Sequence, residues 1–212
     1  MSKIIVIGAG MVGSAIAIDM AKNHKVTLTD VSLSVLKNVK TKHDELQILT
    51  LDVNEKEALQ KTIKEFDLVI CAVPGFLGFN TLRAIIEAEK NVIDISFFPE
   101  NSLELDALAK EKNVTAIVDC GVAPGMDNVI LGHYNEIIKL TDFECLVGGL
   151  PKEKKWPFSY KAPFSPIDVI EEYTRPARYV ENGYEVVREA LTDCDYVHFD
   201  KIGTLESFIR IY

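Results

Sequence analysis

The sequence predicts an α/β protein: a doubly wound parallel sheet of strand order 3-2-1-4-5-6, followed by a smaller, partial α+β unit. Two observations carry the first part. Six short apolar runs alternate with helical segments over short connections as far as Val118, the pattern of a parallel sheet with helices on both faces. The first run opens into a Gly-x-Gly-x-x-Gly turn and a helix, and the second ends on an acid. A third observation carries the smaller unit. From Ala123 the alternation gives way to a longer helix, a stretch rich in proline, lysine and aromatics, and weakly alternating short strands. The expected division is 1–122 and 123–212.

Lys3 to Ile7 (KIIVI) is an apolar run of the buried-strand type, and Ser14 to Lys22 reads as the helix that follows the glycine turn. Gly8 permits a tight exit from the strand, Gly10 lets the backbone approach a pyrophosphate, and Gly13 lets the helix pack close to the sheet. Met11 and Val12 complete this cofactor-binding turn, at a helix N-terminus whose N–H groups and dipole suit phosphates. Lys25 to Thr29 is the second strand. Asp30 at its tip can accept hydrogen bonds from the adenosine ribose hydroxyls. It would repel a 2′-phosphate, and Val31-Ser32-Leu33 contains no arginine to receive one, so NAD is expected over NADP. Lys3 to Ala17 could also pass for a targeting signal. Three glycines in its apolar segment, and the strand–helix logic beyond it, argue against secretion.

Val31 to Lys42 reads as a helix that Ser32 or Ser34 can cap. Leu46 to Leu51 is the third strand, ending on Asp52, and Asn54 to Glu65 is a charged amphipathic helix. Phe66 to Ala72 is the fourth strand, nearly continuous in apolar residues as a strand covered on both faces should be. It stops at Val73-Pro74-Gly75. Phe79 to Lys90 is helical, Asn91 to Ile95 is the fifth strand, and Ser102 to Lys112 is a helix whose acid-rich start suits the dipole. Val114 to Val118 is the sixth strand, ending at Asp119-Cys120-Gly121. Right-handed crossovers make this a Rossmann topology with its ligand crevice at the carboxyl ends of the strands. Asp52 and Val53 then lie where the third strand would meet an adenine. Ala72, Val73 and Pro74 lie where the fourth would pass a nicotinamide ribose.

In the second unit Pro124 to Lys139 reads as a helix opened by Pro-Gly, Asp142 to Leu150 as a long strand, and Ile167 to Tyr173 as a short helix. The final residues, Phe208 to Tyr212, form a strand-like run without helices to cover the resulting sheet. This unit is therefore expected to be incomplete.

Composition bounds the function classes. The 212 residues are 48% hydrophobic, ample for a buried core. No uninterrupted apolar run reaches the length of a membrane span, which points to a soluble protein with no membrane partner. A net charge of −9 with no basic stripe argues against nucleic acid. The cysteines, Cys71, Cys120, Cys145 and Cys194, are scattered and form no CxxC pair. That is neither a disulfide framework nor a metal site, and a reducing, cytoplasmic setting fits.

At Asp119-Cys120-Gly121-Val122-Ala123-Pro124-Gly125, with Asn128 beyond, the chain resembles the D-x-G-x-A-P-G-x-x-N turn of the saccharopine dehydrogenase-like superfamily. Pro74 to Gly78, Asp94 to Asn101, Gly148-Gly149-Leu150-Pro151, Phe164-Ser165-Pro166, Val169 to Arg178 and Asn182-Gly183 look most like its lysine 6-dehydrogenase branch. The resemblance implies an NAD-dependent oxidoreductase acting at the ε-amino carbon of L-lysine, with saccharopine or carboxynorspermidine chemistry as the runner-up. It implies a homodimer or larger homo-oligomer formed through the second domain. Members of the superfamily continue well past residue 212, so a truncated member, a fragment, or one half of a split enzyme that needs a second polypeptide is the corresponding expectation. A subunit that binds NAD without catalysing is the alternative of another class.

Hydride transfer asks the protein mainly for geometry, and the substrate amine must lose a proton to a base or to water held by one. Asp119, at a strand tip before a tight turn, either touches substrate or an ordering water, or caps the helix near Pro124. Asp94 is likewise either catalytic or a holder of the turn after it. Arg175 and Arg178 are candidates to clamp a substrate carboxylate, the alternative being a surface pairing beside Glu171 and Glu172. Tyr160 and Lys161 could reach into a cleft from a loop, Lys161 as a base only if desolvated. His133 reads as a helix-face residue and Cys120 as a small packing residue.

Overall fold

The computed structural model describes residues 1–153, 155–156, 160–161 and 165–208. Phe164 and residues 209–212, which carry parts of the readings above, lie outside the described residues. The chain divides into two compact units, Met1–Gly121 and Val122–Tyr212. Among the described residues no helix is long and apolar enough to cross a membrane.

The first unit is a six-stranded parallel sheet. Strands β1 (Lys3–Ile7), β2 (Lys25–Asp30), β3 (Gln47–Thr50), β4 (Leu68–Cys71), β5 (Val92–Asp94) and β6 (Ala116–Ile117) lie in the order β3-β2-β1-β4-β5-β6. Between them run α1 (Met11–Ala21), α2 (Leu33–Lys40), α3 (Lys56–Ile63), α4 (Gly75–Glu87) and α5 (Asp106–Glu111), the last preceded by a 3₁₀ turn, Ser102–Leu105. Alternation along β1 sends its side chains to two cores. Ile5 and Ile7 pack with Val69, Cys71 and Val92, and with Leu59 of α3 and Leu82 and Ile85 of α4. Ile4 and Val6 pack with Val26, Leu28 and Ile70, and with Ala17 of α1 and Leu36 of α2. This is the expected doubly wound sheet.

Details depart from the sequence reading where tertiary contacts decide. α4 starts four residues earlier than Phe79, with Pro74 at its N-cap. Its first turn can lie on the strand ends because it is built on glycine. A Cβ at Gly78 would stand 2.6 Å from Phe98 Cδ1 and 2.7 Å from Ser96 Cβ. β6 is only two residues long, because only Ala116 and Ile117 find partners on β5. Ser32 occupies the N-cap of α2, but its hydroxyl pairs with that of Ser34 (2.9 Å) and makes no side-chain cap hydrogen bond.

The second unit holds α6 (Met126–Ile137), α7 (Pro166–Glu172) and two antiparallel hairpins. One joins β7 (Ala177–Glu181) to β8 (Tyr184–Arg188), the other β9 (Asp195–Phe199) to β10 (Gly203–Ser207). Asn182 (φ 53) and Gly183 (φ 82) make the first a two-residue hairpin with both central residues left-handed, the geometry that Asn-Gly favours. The strand expected over Asp142 to Leu150 is not formed. Its alternation is of the right kind, but among the described residues no ladder runs along it; Gly149 O accepts one hydrogen bond, from Lys161 N–H (2.9 Å). A strand needs a partner as well as a pattern. α6 has Gly125 at its N-cap, and the buried Asp127 carboxylate takes the N–H groups of Gly125 and Asn128, both at 2.8 Å.

Candidate dinucleotide site and catalytic rim

The glycine turn is held by three tight contacts and one open one. Gly8 (φ +104) donates its N–H to Thr29 O at 2.8 Å, and a Cβ on it would stand 2.3 Å from Ala72 O. A Cβ on Gly13 would stand 2.0 Å from Gly8 O. Both glycines are therefore required by the fold itself. Gly10, the N-cap of α1, has an ordinary φ of −66 and nothing within 4 Å of a Cβ. The fold has no steric reason for glycine there, and the space beside it, at a helix N-terminus without a side-chain cap, suits a phosphate. Met11, Val12 and Phe76 at the openings of α1 and α4 stay exposed.

β2 and β5 end on an aspartate, and β3 is followed two residues on by another; each folds back on the residue two ahead. Asp30 Oδ1 accepts from Ser32 N–H (2.8 Å), Asp52 Oδ1 from Asn54 N–H (2.9 Å), and Asp94 Oδ1 from Ser96 N–H (2.6 Å). The sequence signal is Asp-x-Ser or Asp-x-Asn after a β-run, the side-chain turn these residues favour. Asp30 does more: its Oδ2 accepts the Ala9 N–H at 2.9 Å. One carboxylate thus ties the glycine turn to the loop after β2. Beside Val53, a cleft of about 330 Å³ opens between the start of α3 and α4, lined among others by Leu77, Asn80, Thr81 and Arg83.

At the other end of the rim, Asp94 is fully buried, and its main-chain O accepts the Cys120 N–H at 3.1 Å. Cys71, its register partner on β4, lies with its sulfur 3.7 Å from Ser96 Oγ. Burial pushes the Asp94 carboxyl up to about 6, the Asp119 charge adding to the rise and the Ser96 N–H opposing it. Burial also pushes the Cys71 thiol up, as does Asp94. Asp119 is exposed with a left-handed backbone (φ 54). Asp94 and Asp119 are thus brought together. The Asp94–Ser96 turn follows from the Asp-x-Ser spacing, whereas the place of Cys71 was not legible in the chain order, since it comes from a neighbouring strand.

In the second unit, Tyr160 meets Tyr173 edge to face, ring centroids 6.1 Å apart. Lys161 is exposed, and its main-chain N–H donates to Gly149 O. Arg175 is largely buried and pairs with Glu171 one helical turn earlier. Arg178 sits half-buried in β7, in register with Val187. The two arginines are thus held differently, one against a carboxylate and one in a hairpin. His133 is an exposed residue of α6, edge to face with Tyr134. Among the described residues no cluster suited to a metal ion occurs.

A parallel sheet of order 3-2-1-4-5-6, a glycine turn entering α1 and an acid at the tip of β2 define a nucleotide-binding domain of the Rossmann type. Residues 4–117 match the saccharopine dehydrogenase NADP binding domain, and residues 121–209 the saccharopine dehydrogenase C-terminal domain. The chain belongs to the saccharopine dehydrogenase family. The mitochondrial alpha-aminoadipic semialdehyde synthase of Mus musculus is 26% identical over 191 residues, 85% of this chain and 20% of that protein. The saccharopine dehydrogenase (NADP(+), L-glutamate-forming) of Schizosaccharomyces pombe is 26% identical over 192 residues, 86% of this chain and 43% of that protein. The chain spans less than half the length of either relative. Apo saccharopine dehydrogenase (L-Glu forming) from Saccharomyces cerevisiae has the same fold, with a TM-score of 0.71 and 19% identity over 99% of this chain and 50% of that one.

Proposed function

We propose that this chain binds NAD across the carboxyl rim of its parallel sheet and serves an amino-acid dehydrogenase reaction at a carbon–nitrogen bond, of the saccharopine type. The observation that carries the reading is the pairing of Gly10 with Asp30: open space where a side chain would stand, beside a carboxylate fixed by two backbone donors. In this reading the pyrophosphate lies against Gly8 to Gly13 and the N-terminus of α1. The adenine enters the cleft between Val53 and Leu77, next to Asp52. The adenosine ribose meets the remaining lone pairs of Asp30, and the nicotinamide end lies along Ala72, Val73 and Pro74 near Met11 and Val12. Bound there, the cofactor supplies the hydride acceptor, and the protein supplies position.

NAD is preferred over NADP because the Asp30 carboxylate would face a 2′-phosphate, and the next cation along the chain is Lys37, beyond the first turn of α2. The family description and the S. pombe relative name NADP; Asp30 is the local reason for the opposite preference here. Asp119, exposed at the rim, takes the proton from the substrate nitrogen. Tyr160, Arg175 and Arg178 are the candidates for the amino-acid head group, and an assembly of like chains through the second unit accompanies this reading. Saccharopine is the first substrate to consider, from the names of the relatives. L-lysine is the second, favoured by the Pro74 to Gly78 and Asp94 to Asn101 segments.

The test is reduced-cofactor formation by the purified chain with NAD or NADP, against saccharopine and L-lysine, with cofactor binding measured on the same sample. Saccharopine turnover with NAD supports the first reading, and lysine turnover the second. Binding of NAD without turnover leaves a nucleotide-binding subunit. Absence of dinucleotide binding overturns the reading.

A further inference from the structure

Asp94 closes β5 on the face of the sheet that α4 covers, since its register partner Cys71 packs with Phe79 and Leu82. The carboxyl is fully buried. Oδ1 accepts the Ser96 N–H at 2.6 Å, and Oδ2 has no hydrogen-bond partner among the described residues. The groups acting on it are the Cys71 thiol from β4, the Ser96 N–H and hydroxyl from the loop after β5, and the Asp119 carboxyl from the turn after β6. α4 meets this corner through Gly78, which stands over Ser96. None of these is a cation. A buried carboxylate with a bare oxygen and a second acid nearby is an electrostatic arrangement that lacks a positive partner.

The oxidised nicotinamide ring carries a positive charge that the reduced ring lacks. We propose that Asp94 is a specificity residue for the oxidation state of the cofactor: its buried carboxylate beneath the β4–β5 rim favours the cationic ring over the neutral one. The inference rests on the nicotinamide end lying along Ala72 to Pro74. Coupling is reciprocal, so the cationic ring favours the ionised carboxyl by the same factor. Asp94 is raised to about 6 in the free protein, so binding of oxidised NAD near that pH releases protons, and binding of NADH releases fewer. The adenine, riboses and phosphates are common to both forms and cancel in the comparison.

The experiment is equilibrium titration of the full chain and its D94N variant with NAD and with NADH, from about pH 5 to about pH 8. Proton release is measured calorimetrically in buffers of different ionisation enthalpy. For the unsubstituted protein the ratio of the NADH to the NAD dissociation constant is expected to rise about fivefold across that range, most of the tenfold that lowering an acid's pKa by about one unit gives in full. In D94N, which keeps an acceptor for Ser96, the ratio stays flat. A ratio independent of pH in the unsubstituted protein, or one that changes equally in D94N, overturns the inference while leaving the dinucleotide reading intact. If D94N does not fold, the proton count decides alone, and equal release with both forms overturns the inference. If neither form binds, both readings fall.

Discussion

Asp94→Asn should stabilise the protein at neutral pH relative to acid. In the fold the carboxyl titrates at about 6, against an ordinary 3.8. The folded value is the higher one, so folding favours the protonated form. Stability associated with this group is fully present below about pH 4, falls as pH rises, and is lost above about pH 6. At 1.36 kcal/mol per pKa unit the full loss is about 3 kcal/mol; about 1 kcal/mol has gone by pH 4.5 and the whole by pH 8. The asparagine does not titrate and retains an oxygen for the Ser96 N–H. The stability difference should therefore move in favour of D94N by about 2 kcal/mol between about pH 4.5 and about pH 8. Urea denaturation of both proteins at the two pH values, followed by circular dichroism, measures it. A difference constant to within about 0.5 kcal/mol would refute the reasoning, since a solvated or paired Oδ2 carries no such penalty.

Other substitutions test the nucleotide turn and the head-group candidates. Gly13→Ala puts a Cβ 2.0 Å from Gly8 O, a backbone atom that no rotamer change can move, so thermal melting should show a large loss of stability. Gly10→Ala meets nothing within 4 Å; its melting temperature should stay within about 2 °C of the parent while NAD affinity falls about tenfold or more. Val31→Arg with Asp30→Ser should reverse the NAD over NADP preference in a binding titration, and unchanged preference would exclude Asp30 as the determinant. If Arg175 or Arg178 clamps a carboxylate, its replacement by alanine raises KM for the amino acid with kcat little changed. Equal, small effects from both would remove the clamp.

The parallel sheet was legible because its information is local. Apolar β-runs, the glycine turn and the aspartates that follow several of the runs lie in consecutive residues. Asp142 to Leu150 shows the limit, since alternation describes a strand's faces but says nothing of whether a neighbour exists to pair with it. Asp94 shows another. Its place at the rim could be read from the chain, but its burial depends on Cys71, Gly78 and the turn after β6, which only folding assembles. Asp30 was legible as an acid at the tip of β2, whereas its hold on Ala9 N–H spans 21 residues. In the second unit the Arg175–Glu171 spacing of one helical turn was visible in advance, and the pairing follows from it.

Under the NAD preference proposed above, the doubly engaged carboxylate of Asp30 constrains how this lineage could change its dinucleotide. Removing the acid to admit a 2′-phosphate also frees the Ala9 and Ser32 N–H groups, and so loosens the glycine turn. A one-step exchange would exhibit weak binding of either dinucleotide before a new preference could emerge. The accessible order is the reverse: a cation acquired first on the loop after β2, with Asp30 retained as its counter-charge, and the acid replaced afterwards by a side chain that still accepts from Ala9. Descendants that use the phosphorylated cofactor should therefore keep a small polar acceptor at position 30 rather than an apolar residue.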